Sequence, residues 1–146
     1  MDKLKSILID VVRLAGTHID DRQIDIIDRA CPHKPESLPA GKMGIYMFKY
    51  RERFLKIGKA GPKSNARFLS QHYNPDSSNS NLAKYLINDN DISLGAGMSI
   101  GEWIRTNVHR IDMLLDASLG IHVLSLLEAF LHCRFNPKYE GFQKQR

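Results

Sequence analysis

A run rich in Ile, Tyr and Phe, residues 43–50, and a second run, 53–59, stand with only Arg51 and Glu52 between them. Such residues favour extended backbone, and so short a connection turns the second run back along the first as an antiparallel hairpin. Upstream, Leu4, Ile7, Leu8, Val11, Val12 and Leu14 recur at helical spacing and predict a helix over residues 3–14. Asp20 and Asp21 supply a cap and dipole-favoured charge for a second helix over residues 20–30, with Ile24, Ile26 and Ile27 as its buried stripe. Pro32, Pro35, Pro39 and Gly41 then mark a linker between this helical pair and the hairpin.

Past the hairpin, Gly61-Pro62 breaks the second strand and residues 64–72 read as a helix. The polar loop 74–81 can cap a further helix carrying Leu82, Tyr85 and Leu86. Gly95, Gly97 and Gly101 punctuate a stretch in which no element is legible. Residues 107–116 read as a third strand and 118–134 as a long apolar helix. Strands and helices in this order predict an α+β fold.

Composition sets the outer limits. At 146 residues, 42% hydrophobic and 25% charged, the chain has the makings of an ordinary folded domain and not of a disordered one. The longest apolar stretch, 121–131, is interrupted by His122, Ser125 and Glu128 and falls short of the ~20 residues that cross a bilayer. The start, Met-Asp-Lys-Leu-Lys, lacks the apolar core of a secretion signal. Cys31 and Cys133, 102 positions apart, make no disulfide framework, which points to a reducing cytoplasm. Cys31-Pro32-His33 and His132-Cys133 have zinc-type residues without the usual ligand spacing.

The net charge of +5 is concentrated. Residues 1–36 hold six Lys or Arg against seven Asp or Glu, whereas residues 49–67 hold seven Lys or Arg against Glu52 alone. Arg134, Lys138, Lys144 and Arg146 add a second basic group near the C-terminus, against Glu140. A localised positive field of this kind suits a polyanion. A solvated surface face is the plainer reading of the same charges.

Within these segments lies a constellation. Gly44-Ile45-Tyr46 opens the first strand, Lys56-Ile57-Gly58-Lys59-Ala60 closes the second, Arg67 sits on the following helix, and Glu128 lies alone on the late apolar helix. In order and spacing this resembles the GIY-YIG nuclease family, over residues 42–73 and 107–142, with Lys56 standing where the family has its second tyrosine. The Gly58-Lys59-Ala60 continuation is similar to that of the family's repair-type incision nucleases. The resemblance implies a small antiparallel three-stranded sheet flanked by helices. It assigns residues 39–146 to the nuclease-like domain, with an insert at 74–105, and leaves 1–38 as an N-terminal helical extension. It also implies an endonuclease that hydrolyses DNA phosphodiester bonds with Mg2+ or Mn2+, RNA being the open alternative substrate.

The residue chemistry supports such a reaction. Glu128, with Leu124 and Leu131 on its helix face, is a carboxylate facing apolar surroundings. That costs several kcal/mol on the order of known unpaired-charge penalties unless a hard cation, an arginine or a hydrogen bond relieves it. Arg67 offers forked donors to a scissile phosphate. Tyr46 is a candidate to take or relay the proton of an attacking water, helped by the cation of Lys56. Lys59, Lys63, His72 and Lys138 are candidates for nucleic-acid contacts, and the N-terminal helices or the insert for substrate recognition or a homodimer contact. To serve one site, Tyr46 and Lys56 must share a sheet face. Pairing 46 with 56 requires a three-residue loop, 50–52, or a bulge. Two rival readings remain: a nucleic-acid-binding module without catalysis, motivated by Lys56, and a structural or regulatory partner protein.

Overall fold

Strand residues 42–50 alternate in chemistry as well as direction. Met43, Ile45 and Met47 point to one side and Gly44, Tyr46 and Phe48 to the other, and all six are buried. A strand buried on both faces sits inside a layered structure. The computed structural model describes residues 1–77, 81–95 and 97–139. In chain order the elements are α1 (Asp2–Leu14), β1 (Ile24–Ala30), β2 (Lys42–Tyr50), β3 (Arg53–Ala60), α2 (Asn65–Leu69), α3 (Leu82–Ile87), α4 (Ile100–Asn107), β4 (His109–Asp116) and α5 (Ile121–Phe135). The fold is α+β. None of the described helices is long and apolar enough to cross a membrane.

The strands form one antiparallel sheet in the order β1-β4-β2-β3. It therefore has four strands where three were expected, and the N-terminal helical pair is one helix and one strand. The capping signals at residues 20–23 are real. Asp20 accepts from the Arg22 backbone N–H, and the Gln23 side chain accepts from the backbone N–H of Asp20. They cap only a single 3-10 turn, Asp21–Gln23, after which the chain extends. Ile24 and Ile26 then face α1 and α5, while Ile27 faces the other side of the sheet. Pairing with β4, from Ile24 opposite Leu115 onward, supplies the ladder bonds that a second helix would have made within itself.

One sheet face carries an aliphatic core. Leu8 and Val12 of α1 and Leu124, Leu127 and Leu131 of α5 pack on Ile45, Met47, Ile57 and Met113. The other face is covered by α2, α3, α4 and the 3-10 turn Gln71–Tyr73, and is rich in rings: Tyr46, Phe48, Phe68, Tyr73 and Trp103. Short helices with good caps build this second layer. Asn81 accepts from the Lys84 N–H at the start of α3, and Ser99 from the Glu102 N–H at the start of α4.

Candidate active site on the aromatic face

The β2–β3 hairpin decides which side chains meet. Its turn is two residues long, Arg51 adopting a left-handed φ of 54°. Tyr50 pairs with Arg53 and Lys49 with Phe54, after which a bulge makes Leu55 an extra residue, so that Phe48 stands opposite Lys56 and Tyr46 opposite Gly58. The pairing differs by two residues from the expected 46–56 partnership. The bulge keeps the parity even, and Tyr46 and Lys56 share one face as the cooperative role requires. Across β4, Asp112 stands opposite Tyr46 and Arg110 opposite Phe48.

The two motif glycines are there because rings lie over them. A Cβ on Gly58 would fall 2.3 Å from the Tyr46 hydroxyl oxygen, and one on Gly44 would fall 2.5 Å from the Phe68 ring. Any side chain at 58 would push Tyr46 out of place. At 44 it would displace Phe68, the neighbour of Arg67.

Around Tyr46 the site is buried and charged. The Tyr46 ring is fully buried, 4.4 Å from the His72 ring centroid. Burial pushes the phenol up to about 12, with Arg67 drawing it partly back and Glu128 adding to the rise. The phenol is therefore protonated at neutral pH and acts as a hydrogen-bond donor. Neither its hydroxyl nor His72 Nε2 has a hydrogen-bond partner of ordinary geometry among the described residues. His72 is 1% exposed, and its Nδ1 accepts from the Leu82 N–H. Burial, with the Lys56, Arg67 and Arg110 charges, holds its pKa well below the ordinary histidine value, so the ring is neutral. It does not lie on the surface, where a residue gripping a nucleic-acid backbone directly would have to be; it backs Tyr46 instead.

Lys56 is 3% exposed, its Nζ 5.1 Å from the Tyr85 ring centroid. Desolvation, then the Arg67 charge, lowers its pKa to about 8 against the opposing pull of Glu128. Arg67, half-buried on α2, makes no ion pair with a carboxylate among the described residues. Glu128 is 6% exposed on α5, which docks on β3 partly through His132 Nε2–H donating to the Ile57 carbonyl at 2.8 Å. Its partner is not a buried arginine. Lys59 Nζ reaches Glu128 Oε1 at 2.8 Å, with the lysine side chain 39% exposed. Tyr46, Lys56, Arg67 and Glu128 are thus close enough to bias one another's charge, and Lys59 joins them through its ion pair.

The remaining basic candidates separate. Lys63 is exposed on the loop after β3. Lys138 is tied to Asp89 at 2.6 Å and to Asp91 at 3.6 Å, so its charge is already compensated. Lys144, Arg146 and Glu140 lie outside the described residues.

A buried network beneath the site escapes a reading of local patterns. Arg110, fully buried, donates to Asp112 at 2.7 Å, to the Tyr73 hydroxyl at 2.9 Å and to the Phe68 carbonyl at 2.7 Å. Tyr73 in turn donates to His33 Nε2 at 2.7 Å, while His33 Nδ1–H donates to the Val108 carbonyl at 2.7 Å. Desolvation lowers His33 to about 4, which keeps it neutral and able to accept. Arg29 of β1 reaches the other oxygen of Asp112 at 3.0 Å. Arg110 thereby fixes both ends of the segment 68–73 and, with it, Arg67 and His72. The available signal was the alternation of Arg110 and Asp112 with Ile111, Met113 and Leu115 on a strand buried from both sides.

Glu128 has the oxygen ligands a hard cation prefers, but it stands alone as a carboxylate. Among the described residues no group of three or more His, Cys, Asp or Glu converges. A hard cation here would have Glu128 as its one protein carboxylate, which is within what Mg2+ accepts. Comparison with known proteins finds no matching family model, curated sequence or solved structure.

Proposed function

We propose that this protein is an endonuclease of the GIY-YIG type that hydrolyses DNA phosphodiester bonds with Mg2+ or Mn2+ in the cytoplasm. The observation that carries the reading is the fully buried Tyr46 hydroxyl, with Arg67 beside it but no hydrogen-bond partner of ordinary geometry among the described residues, close to Lys56 and Glu128. An unsatisfied buried polar atom costs on the order of 1–3 kcal/mol, and such atoms persist where a substrate or reacting group completes them. On this reading the neutral Lys56 amine accepts the proton of the attacking water, since its pKa near 8 suits a base and that of Tyr46 near 12 does not. Tyr46 donates a hydrogen bond that holds the water or a phosphate oxygen. Arg67 spreads the charge that develops on the phosphate. Glu128 would hold the metal, whose chemistry is to neutralise that charge. Lys59 would release Glu128 and turn to the phosphate, and Lys63 would follow the backbone outside the site.

The Lys59–Glu128 ion pair also favours a second reading. If it persists when DNA is bound, the same basic face binds nucleic acid without cutting it. Supercoiled plasmid incubated with Mg2+, with Mg2+ and EDTA, and with the Lys56→Met variant separates the two. The nuclease reading expects nicking in the first reaction alone. Plasmid that is retarded on a gel but never nicked would leave the binding module.

A further inference from the structure

Resting on that reading of Lys56, we infer that Tyr139 is a positioning residue for it, acting through the ring of Tyr85. After α5 the chain reverses at Asn136, in left-handed conformation, and runs back along the outer edge of β3. There the Lys138 N–H donates to the Phe54 carbonyl at 2.9 Å and the Tyr139 N–H to the Leu55 carbonyl at 2.7 Å. These carbonyls belong to the two residues just before Lys56, one of them the bulge residue itself. The strap therefore grips the hairpin where the lysine's direction is set.

Its side chains reach the other way, into the 74–105 insert. The Tyr139 ring stacks on Tyr85 of α3, planes 4° apart and centroids 5.1 Å apart. The Tyr139 hydroxyl donates to Asp89, and Lys138 pairs with the same carboxylate. Tyr85 is thus held between a strap bonded to β3 and its own helix, with the Lys56 ammonium over its ring. Within the site, Arg67 of α2, His72 of the following turn, Tyr46 of β2 and Glu128 of α5 also face Lys56. The Tyr139 side chain reaches Tyr85 and Asp89, so its removal takes the backing from Tyr85 and lets water reach the amine.

The test is a 13Cε-lysine NMR titration of the full chain, with the Lys56 signal identified by its loss in Lys56→Arg, run beside the pH profile of plasmid nicking. Tyr139→Ala is expected to raise the Lys56 midpoint by about one pH unit toward the ordinary lysine value, and to carry the nicking profile with it. Tyr139→Phe keeps the stacked ring and is expected to leave the midpoint in place. Should Tyr139→Ala melt below the assay temperature, Tyr139→Thr, which likewise removes the ring and leaves the space open to water, takes its role with the same expectation. A wild-type midpoint in folded Tyr139→Ala, or a shift in Tyr139→Phe as large as in Tyr139→Ala, would overturn the positioning role. Because the titration needs no cleavage, a shift seen in a protein that nicks nothing would overturn the nuclease reading and leave the positioning intact.

Discussion

The two faces of the sheet are built from the same strands and obey opposite rules. Beneath α1 and α5 the packing is Leu, Ile, Val and Met. Beneath α2, α3 and α4 it includes the buried rings of Tyr46, Phe48, Phe68, Tyr73, Trp103 and Tyr139 together with Lys56, His72, Arg110 and Asp112. Desolvating those polar groups costs free energy that the aliphatic side must supply. One face therefore stabilises the sheet, and the other holds charged side chains in fixed positions at that expense. Glu128 is the exception that joins them: it grows from the helix of the aliphatic face and exerts its charge on Tyr46 and Lys56 of the other.

Alternation on β2 made this division half legible. The hairpin, α1, the capped helix α3 and α5 could be read from local pattern, whereas Tyr46, Lys56, Arg67 and Glu128 are singled out by their resemblance to a family motif. The register was legible only in its parity, because the bulge at Leu55 has no residue signature of its own. Strand β1 reads as a helix from its local sequence because its partner β4 lies more than 80 positions away, as in the Asp28–Ile111 pair, and because Ile24, Ile26 and Ile27 satisfy both a helical and an extended pattern. Helix α4 hid behind Gly97 and Gly101, although Ser99 and Glu102 have the spacing of a capping pair. The Arg110–Asp112 network has a signal, the alternation of these residues with Ile111 and Met113, that is ambiguous in the sequence alone. Charged residues alternating along a strand read as a solvent face until something distant covers them.

Breaking each face should have a distinct signature. The largest effect is expected from Arg110→Met, which leaves Asp112 buried with one partner fewer. Denaturant melts should show a loss of about 3–5 kcal/mol, and the cleavage of whatever remains folded should fall too, as residues 68–73 lose their anchor. On the aliphatic face, Leu127→Ala should cost about 3 kcal/mol by the same melts, through the cavity it leaves. Its nicking rate per folded molecule should stay at the wild-type value, and a selective loss of activity would blur the contrast between faces.

Smaller effects sharpen the picture of the polar face. Lys56 is protonated below a pKa of about 8, and only the neutral amine is a base. Nicking should therefore rise about tenfold per pH unit below that point and level off above it, provided chemistry limits the rate. A flat profile from pH 6 to 9 would remove Lys56 as the base. Lys63→Ala, at an exposed position, should lower the slope of log affinity against log salt by about 0.9 in gel shifts, with nicking at saturating DNA unchanged.

The central claim, that a carboxylate from the aliphatic side's helix completes a cleavage site on the aromatic side, is tested most directly at Glu128. Glu128→Gln keeps the shape and removes the charge that would hold Mg2+. Its partner Lys59 is 39% exposed and can turn to water, so the stability cost should be no more than about 1 kcal/mol. Plasmid nicking and thermal melting on one preparation should show a rate lowered by about a hundredfold or more, with the melting midpoint nearly unmoved. A Glu128→Gln protein that nicks DNA at the wild-type rate would contradict the account.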